Sequence, residues 1–190
     1  MTCRPGAWLA AWARRLRRDG RGSIALEMAL AVPILVALLF SGIEVTRYVL
    51  VNQKIERTSA TMSDLVAQAR KLSEAQIQSL IGAANHVMEP FDIAANGLVV
   101  VSSISNHGSG AIIDWQRTAG GGDGVSKFGA EGSNPSLPNG FVVREGENVI
   151  VTEVFYNYEP LIAKSVFEAK TCYNFAVFRP RYTTLDTIAQ

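Results

Sequence analysis

The chain has 190 residues, enough for one ordinary domain plus an appendage, and carries 18 Lys/Arg against 17 Asp/Glu. The balance hides a split, because residues 1–22 hold six arginines and one aspartate, and the remainder holds 12 basic against 16 acidic side chains. Basic residues gathered ahead of an apolar run argue against a nucleic-acid-binding face, and two cysteines, Cys3 and Cys172, supply neither a disulfide framework nor a zinc site.

Residues 1–22 form a basic leader. Trp8 and Trp12 stand four apart, ahead of Arg14, Arg15, Arg17 and Arg18. On a helix they would lie along an anionic lipid surface, aromatic side inward; a leader without structure is the alternative. An apolar segment follows from about Ile24 to Ile43, and residues 23–43 read as one transmembrane helix. About twenty helical residues cover roughly 30 Å, the hydrocarbon thickness. Pro33 lies inside the segment and is tolerable in a membrane helix. Arginines before the span and Glu44 after it place the N-terminus in the cytoplasm and residues 44–190 outside it. A cleaved secretory signal is the competing reading, but Phe40-Ser41-Gly42 matches a cleavage site poorly and helical periodicity continues past it.

Glu27 heads the apolar run. A carboxylate in hydrocarbon is costly and needs a partner. No Lys or Arg stands three or four residues after it, and Ser23 stands one helical turn before it. Cleavage between Gly22 and Ser23 would give Ser23 an α-amino group to face such a carboxylate, within a subunit or between neighbours. The alternative is a Glu27 that reaches the interface and is hydrated there.

Beyond the membrane, Tyr48, Ile55, Met62 and Ala69 recur every seven residues, each followed three later by Val51, Thr58, Leu65 and Leu72. That stripe predicts a helix over 44–72, docked on the protein's own sheet or partly used for contact with other subunits. Glu44 and Arg47 are expected to pair at the membrane exit, where an exposed pair contributes little. A second helix is predicted over 73–88, with Ser73 and Gln76 as a capping box and Glu89-Pro90 as its stop. Strands are predicted at about 97–104, 111–118, 149–158 and 170–178, the last two central because both their faces are apolar. The glycine-rich stretch 119–140 reads as a mobile surface loop. The expected fold is α+β: a long N-terminal helix on a small antiparallel sheet, with a second short helix.

The stretch GRGSIALEMALAVPILVALLFSGIEVTRYV resembles the TadE-like pseudopilins of the tight-adherence (Flp) pilus system. Gly22, Glu27, Pro33, Gly42, Glu44 and Arg47 fall where those proteins place like residues, and VIVTEVFYNYEPLI, at 149–162, is similar to their strand and Tyr-x-Tyr-x-Pro stretch. Met28 departs from the aromatic residue often found there. The resemblance implies a pilin-like fold and processing after Gly22 by a prepilin peptidase. It also implies a minor pilin or assembly factor in the bacterial inner membrane, in which Glu27 sets register against a neighbouring subunit's Ser23 amine. Partners would be the peptidase, other pilins, the assembly platform and membrane lipids. The alternative is an uncleaved single-pass protein whose exported domain binds other envelope components.

Residues that could carry chemistry are sparse. GGGDG lacks the Lys-Ser/Thr and the strand–helix setting of a phosphate cradle. His107 near Ser105 and Asp114 suggests a triad without a nucleophile elbow. Asp123, Glu131, Glu145 and Glu147 match no calcium-loop spacing. Cys172 between aromatics reads as a buried apolar residue. No catalytic residue, cofactor, metal, small-molecule substrate or nucleic acid is expected.

Overall fold

The computed structural model describes residues 21–138, 140–161 and 168–189. The leader expected to lie on lipid, with Trp8, Trp12 and Cys3, falls outside the described residues. The chain divides into two compact units, with the break between Ile43 and Glu44.

Helix α1 spans Arg21–Ala67 and passes through Pro33. In the first unit its large apolar side chains, from Ile24 to Ile43, are exposed, Ile24 at 70% and Leu38 at 63%. An amphipathic helix would hide one stripe; this segment is apolar on all sides, as lipid requires. α1 is long and apolar enough to cross a membrane by length and composition.

In the second unit the rest of α1 buries Val51, Ile55, Thr58, Met62 and Val66 against the sheet. Each large aliphatic side chain so covered contributes about 1.5–3 kcal/mol. The stripe follows the true helical period rather than the heptad. Leu65, expected inside, is 38% exposed, and Val66 takes its place. α1 also ends earlier than the predicted Leu72. Its final carbonyl, on Ala67, accepts the Arg181 N–H at 2.9 Å.

Helix α2, Glu74–Met88, starts on the predicted capping box: Ser73 Oγ accepts from Gln76 N, and Gln76 Oε1 accepts from Ser73 N. A one-turn helix α3, Ile93–Asn96, capped by Asp92, was not legible in the sequence. Strands β1 (Gly97–Asn106), β2 (Ala111–Gly120), β3 (Asn148–Tyr158) and β4 (Lys170–Phe178) form one antiparallel sheet in the order β2-β1-β3-β4. The architecture is α+β, a long helix on a four-stranded antiparallel sheet.

β4 is therefore an edge strand, not a central one. Its residues from Tyr173 to Phe178 are half-buried on both faces, and alternation alone does not separate that state from full burial.

Both sheet faces are covered. The helices and the C-terminal segment lie on Val99, Val101, Trp115, Ile150 and Val154. On the other face Phe128 and Val143 pack on Ile104, Ile113, Val149 and Val151. The stretch expected to be a mobile loop is thus the sheet's second cover. At its centre Glu153, fully buried, accepts from Lys127 N at 2.8 Å, from Tyr173 OH at 3.0 Å and from Ser126 Oγ. The glycines permit close approach: a Cβ on Gly121 would stand 2.3 Å from the Ala94 carbonyl oxygen, and one on Gly120, at φ +130°, 2.1 Å from that of Gly97.

Candidate functional site: the head of the membrane helix and the Glu44 clamp

The residues expected to be processed lie at the start of α1. Gly22 and Ser23 are in its first described turn, so the bond between them is helical. Glu27 follows one turn on, exposed among the exposed side chains of Ile24, Leu26, Met28 and Leu30. A carboxylate on an otherwise apolar helical surface has a large desolvation cost in lipid and favours a cationic partner there.

In the second unit the expected membrane-exit residues take another form. Glu44, read from the sequence as half of an exposed pair, is buried, at 3% exposure. Burying a carboxylate requires hydrogen-bond donors, and they come from the far end of β3. Tyr158 donates its hydroxyl to Oε1 of Glu44, and the Leu161 N–H meets both carboxylate oxygens at 3.2 and 3.1 Å. Tyr48 stacks edge-on against Tyr158, ring centroids 5.6 Å apart. Burial first, and then the neighbouring Glu44, push the Tyr158 hydroxyl up to about 12. The phenol therefore stays protonated as the donor of this clamp. Arg47, one turn along α1, lends opposing positive field to Tyr156 and Tyr158. The clamp joins the two stretches that carried the family resemblance, the helix around Glu44 and the Tyr-x-Tyr-x-Pro segment. Sequence reading did not connect them, although the paired signals were present.

The structure brings Ser105, His107 and Asp114 together. A β-bulge between Ser103 and Ile104 leaves Asp114 without an opposite residue and turns it toward both serines. Ser105 Oγ donates to Asp114 Oδ1 at 2.8 Å, and His107 Nε2 lies 2.9 Å from the same Oγ. The serine proton thus points to the aspartate, and Nε2 is left to donate to the hydroxyl. A catalytic triad needs the imidazole between the other two and accepting from serine. Ser105 is also 2% exposed. Burial raises the Asp114 carboxyl above its ordinary range, against the lowering effect of the Ser105 hydrogen bond. The cluster orders the β1–β2 hairpin.

Of the remaining candidates Asp123 and Glu145 are exposed, whereas Glu131 and Glu147 are tied into the fold. Glu131 accepts from Gln116 N and Arg117, and Glu147 accepts from Arg144 N and pairs with Arg179 at 3.2 Å. Among the described residues no group of three or more His, Cys, Asp or Glu could hold a metal ion. Cys172 is buried, its thiol pushed up first by desolvation.

No curated protein and no solved structure gives a significant match to this chain. A family does: the model described as TadE-like protein matches residues 22–61, the segment that runs from the head of the apolar helix through Glu44 and Arg47, so this segment is similar to the TadE-like family.

Proposed function

We propose that this chain is a minor pilin or pilus-assembly factor of a tight-adherence (Flp) pilus, held in the bacterial inner membrane by the first part of α1. The observation that carries the reading is that the TadE-like match begins at Gly22 and covers the stretch of α1, up to Ile43, whose large apolar side chains are exposed. In this reading the arginine-rich leader stays in the cytoplasm and the second unit faces the periplasm. A prepilin peptidase cuts after Gly22, so the protein is a substrate rather than an enzyme. Cleavage of a helical bond requires local unwinding. Gly22 supports that step, since glycine costs roughly 1 kcal/mol of helix stability relative to alanine. The new Ser23 amine then faces Glu27 of an adjacent subunit, and neutralising that carboxylate in lipid fixes the axial register of stacked helices.

Mass spectrometry of the protein from its native host tests the reading. A mature terminus at Ser23 is the expected result. An intact Met1-Thr2 terminus would favour the second reading, an uncleaved single-pass protein whose exported domain binds other envelope components. The helical Gly22–Ser23 bond and Met28 after the glutamate are the observations on that side.

A further inference from the structure

We propose that the outer edge of β4 is a docking site for an extended segment of another protein chain, which adds a strand to the four-stranded sheet and sets an acidic side chain beside Lys170. This surface deepens the pilus reading above, giving the place where a partner is held, and rests on it for its setting in the envelope. β4 is an edge strand, paired with β3 along all nine residues from Lys170 to Phe178 with no bulge. An edge strand leaves the N–H and C=O groups of alternate residues pointing away from the sheet. Among the described residues, the only main-chain group of β4 met by anything other than β3 is the Ala176 carbonyl, 3.5 Å from Ser63 Oγ. The opposite edge is treated differently. Ile113 N donates to Ser133 O at 3.1 Å, Gly132 N donates to Ile113 O at 2.8 Å, and Gln116 N donates to the Glu131 carboxylate at 3.1 Å, so the chain covers β2 with its own residues. Natural sheets blunt a bare edge with proline, a bulge, clustered charge or a covering segment. β4, KTCYNFAVF, has no proline, no bulge and a single charged side chain, Lys170.

The unpaired backbone sets the occupant's conformation, because an extended chain presents its donors and acceptors at the spacing of alternate strand residues. The side chains set its composition. Tyr173 through Phe178 are half-buried on both faces of the sheet, so a further strand with apolar residues completes their cover. Lys170 is exposed and, among the described residues, has no ion pair. A carboxylate on the added strand is its complement. A second copy of this chain does not supply one. β4 holds no acidic residue, so no register of β4 along another β4 places a carboxylate across from Lys170 within the joint. The β2 edge of a second copy is already covered by its own chain. The partner is therefore a different protein, offering an apolar extended segment with an acid at the Lys170 end.

The test is hydrogen–deuterium exchange of the full chain, read by mass spectrometry on peptides from β4 and β2. Three samples are compared: the purified chain in detergent, the purified chain in vesicles of the host's own lipids, and native-host membranes holding the chain at its natural level. Outward amides of β4 are expected to exchange freely in the first two and about tenfold more slowly in native membranes, while those of β2 exchange alike in all three. Equal exchange of β4 in all three samples would overturn the site. Slowing already present in vesicles of the purified chain would overturn the occupant and put lipid or a second copy in its place. Lys170→Glu is expected to abolish the slowing in native membranes; full slowing in that variant would overturn the acidic partner. Peptides from β3 in detergent check the variant's fold, and the wild-type comparison does not depend on it. The terminus read from the same native sample, at Ser23 or at Met1, judges the pilus reading separately from the exchange of β4.

Discussion

Tyr158 and Glu44 are 114 positions apart in sequence, and the tyrosine hydroxyl donates directly to the buried carboxylate. This contact fastens the end of the central strand β3 to α1 at the first residue of the second unit. Tyr158→Phe removes one donor from a buried carboxylate and is expected to cost about 1–3 kcal/mol. Glu44→Ala leaves the Leu161 N–H without its acceptor and the phenol with only the long contact to the Glu44 main-chain carbonyl at 3.4 Å, and is expected to cost at least as much. In a double-mutant cycle read by thermal unfolding of the detergent-solubilised chain, the two changes should be strongly non-additive. Additive losses would show that the clamp carries no coupling.

The same tyrosine makes stability depend on alkaline pH. Its folded-state hydroxyl titrates at about 12, against an ordinary value of 10. Between those values the unfolded chain has lost a proton that the folded chain keeps. The contribution is therefore fully present below pH 10 and disappears as pH rises toward 12. Its size is on the order of 2–3 kcal/mol. Tyr173 is raised too, by burial and then by Glu153, and adds a loss of the same sign. Denaturation midpoints of Tyr158→Phe should fall less steeply above pH 10 than those of wild type. Parallel slopes would contradict the clamp's electrostatics.

At the hairpin, Asp114 separates a structural role from a catalytic one. Its carboxyl is raised chiefly by burial, so the ionised form is disfavoured in the fold. Asp114→Asn keeps an acceptor for Ser105 and removes that burden. It is expected to be neutral or stabilising at neutral pH, while Asp114→Ala strands the Ser105 hydroxyl and costs about 1–3 kcal/mol. Thermal melts of the two variants decide the matter; equal losses would show that hydrogen-bond acceptance is not what Asp114 supplies.

Gly121→Ala places a methyl 2.3 Å from the Ala94 carbonyl oxygen and 3.3 Å from that of Ala95, backbone that cannot turn aside as a side chain would. A loss of more than about 1 kcal/mol is expected. Gly82→Ala, in α2 with open space around it, should be neutral or stabilising by up to about 1 kcal/mol. Reversal of this order would show that the glycine stretch is not tightly packed.

For the pilus reading, Glu27→Gln should leave membrane insertion unchanged and reduce pilus output. Gly22→Phe should block the shift in mass that processing produces. Normal piliation in the first variant would remove the register role, and an unchanged mass shift in the second would move the cleavage site.

Much of the fold was legible in local pattern. The Ser73–Gln76 capping box is a rule between residues three apart, and it formed as written. The apolar helix with Glu27 at its head needed only length and composition. Features set by distant partners were not legible. Leu65 and Val66 exchange places because a heptad count drifts against a straight helix docked on a sheet. The glycines after β2 read as freedom, yet they mark close packing against α3, an element too short to announce itself. Glu44 read as a surface charge because its donors lie beyond the whole sheet, and the bulge that places Asp114 between Ser103 and Ser105 has no composition of its own.

The C-terminal segment is what closes the helical side of the second unit. Arg181 N caps Ala67 at 2.9 Å, the Leu185 carbonyl holds the Trp115 indole at 2.7 Å, and Ala189 N reaches Leu72 at 2.7 Å. All of these acceptors and donors lie on elements made before it. Consolidation is thus postponed until residues near 185 have been made, and until then the helix and sheet wait, incompletely sealed, for the tail.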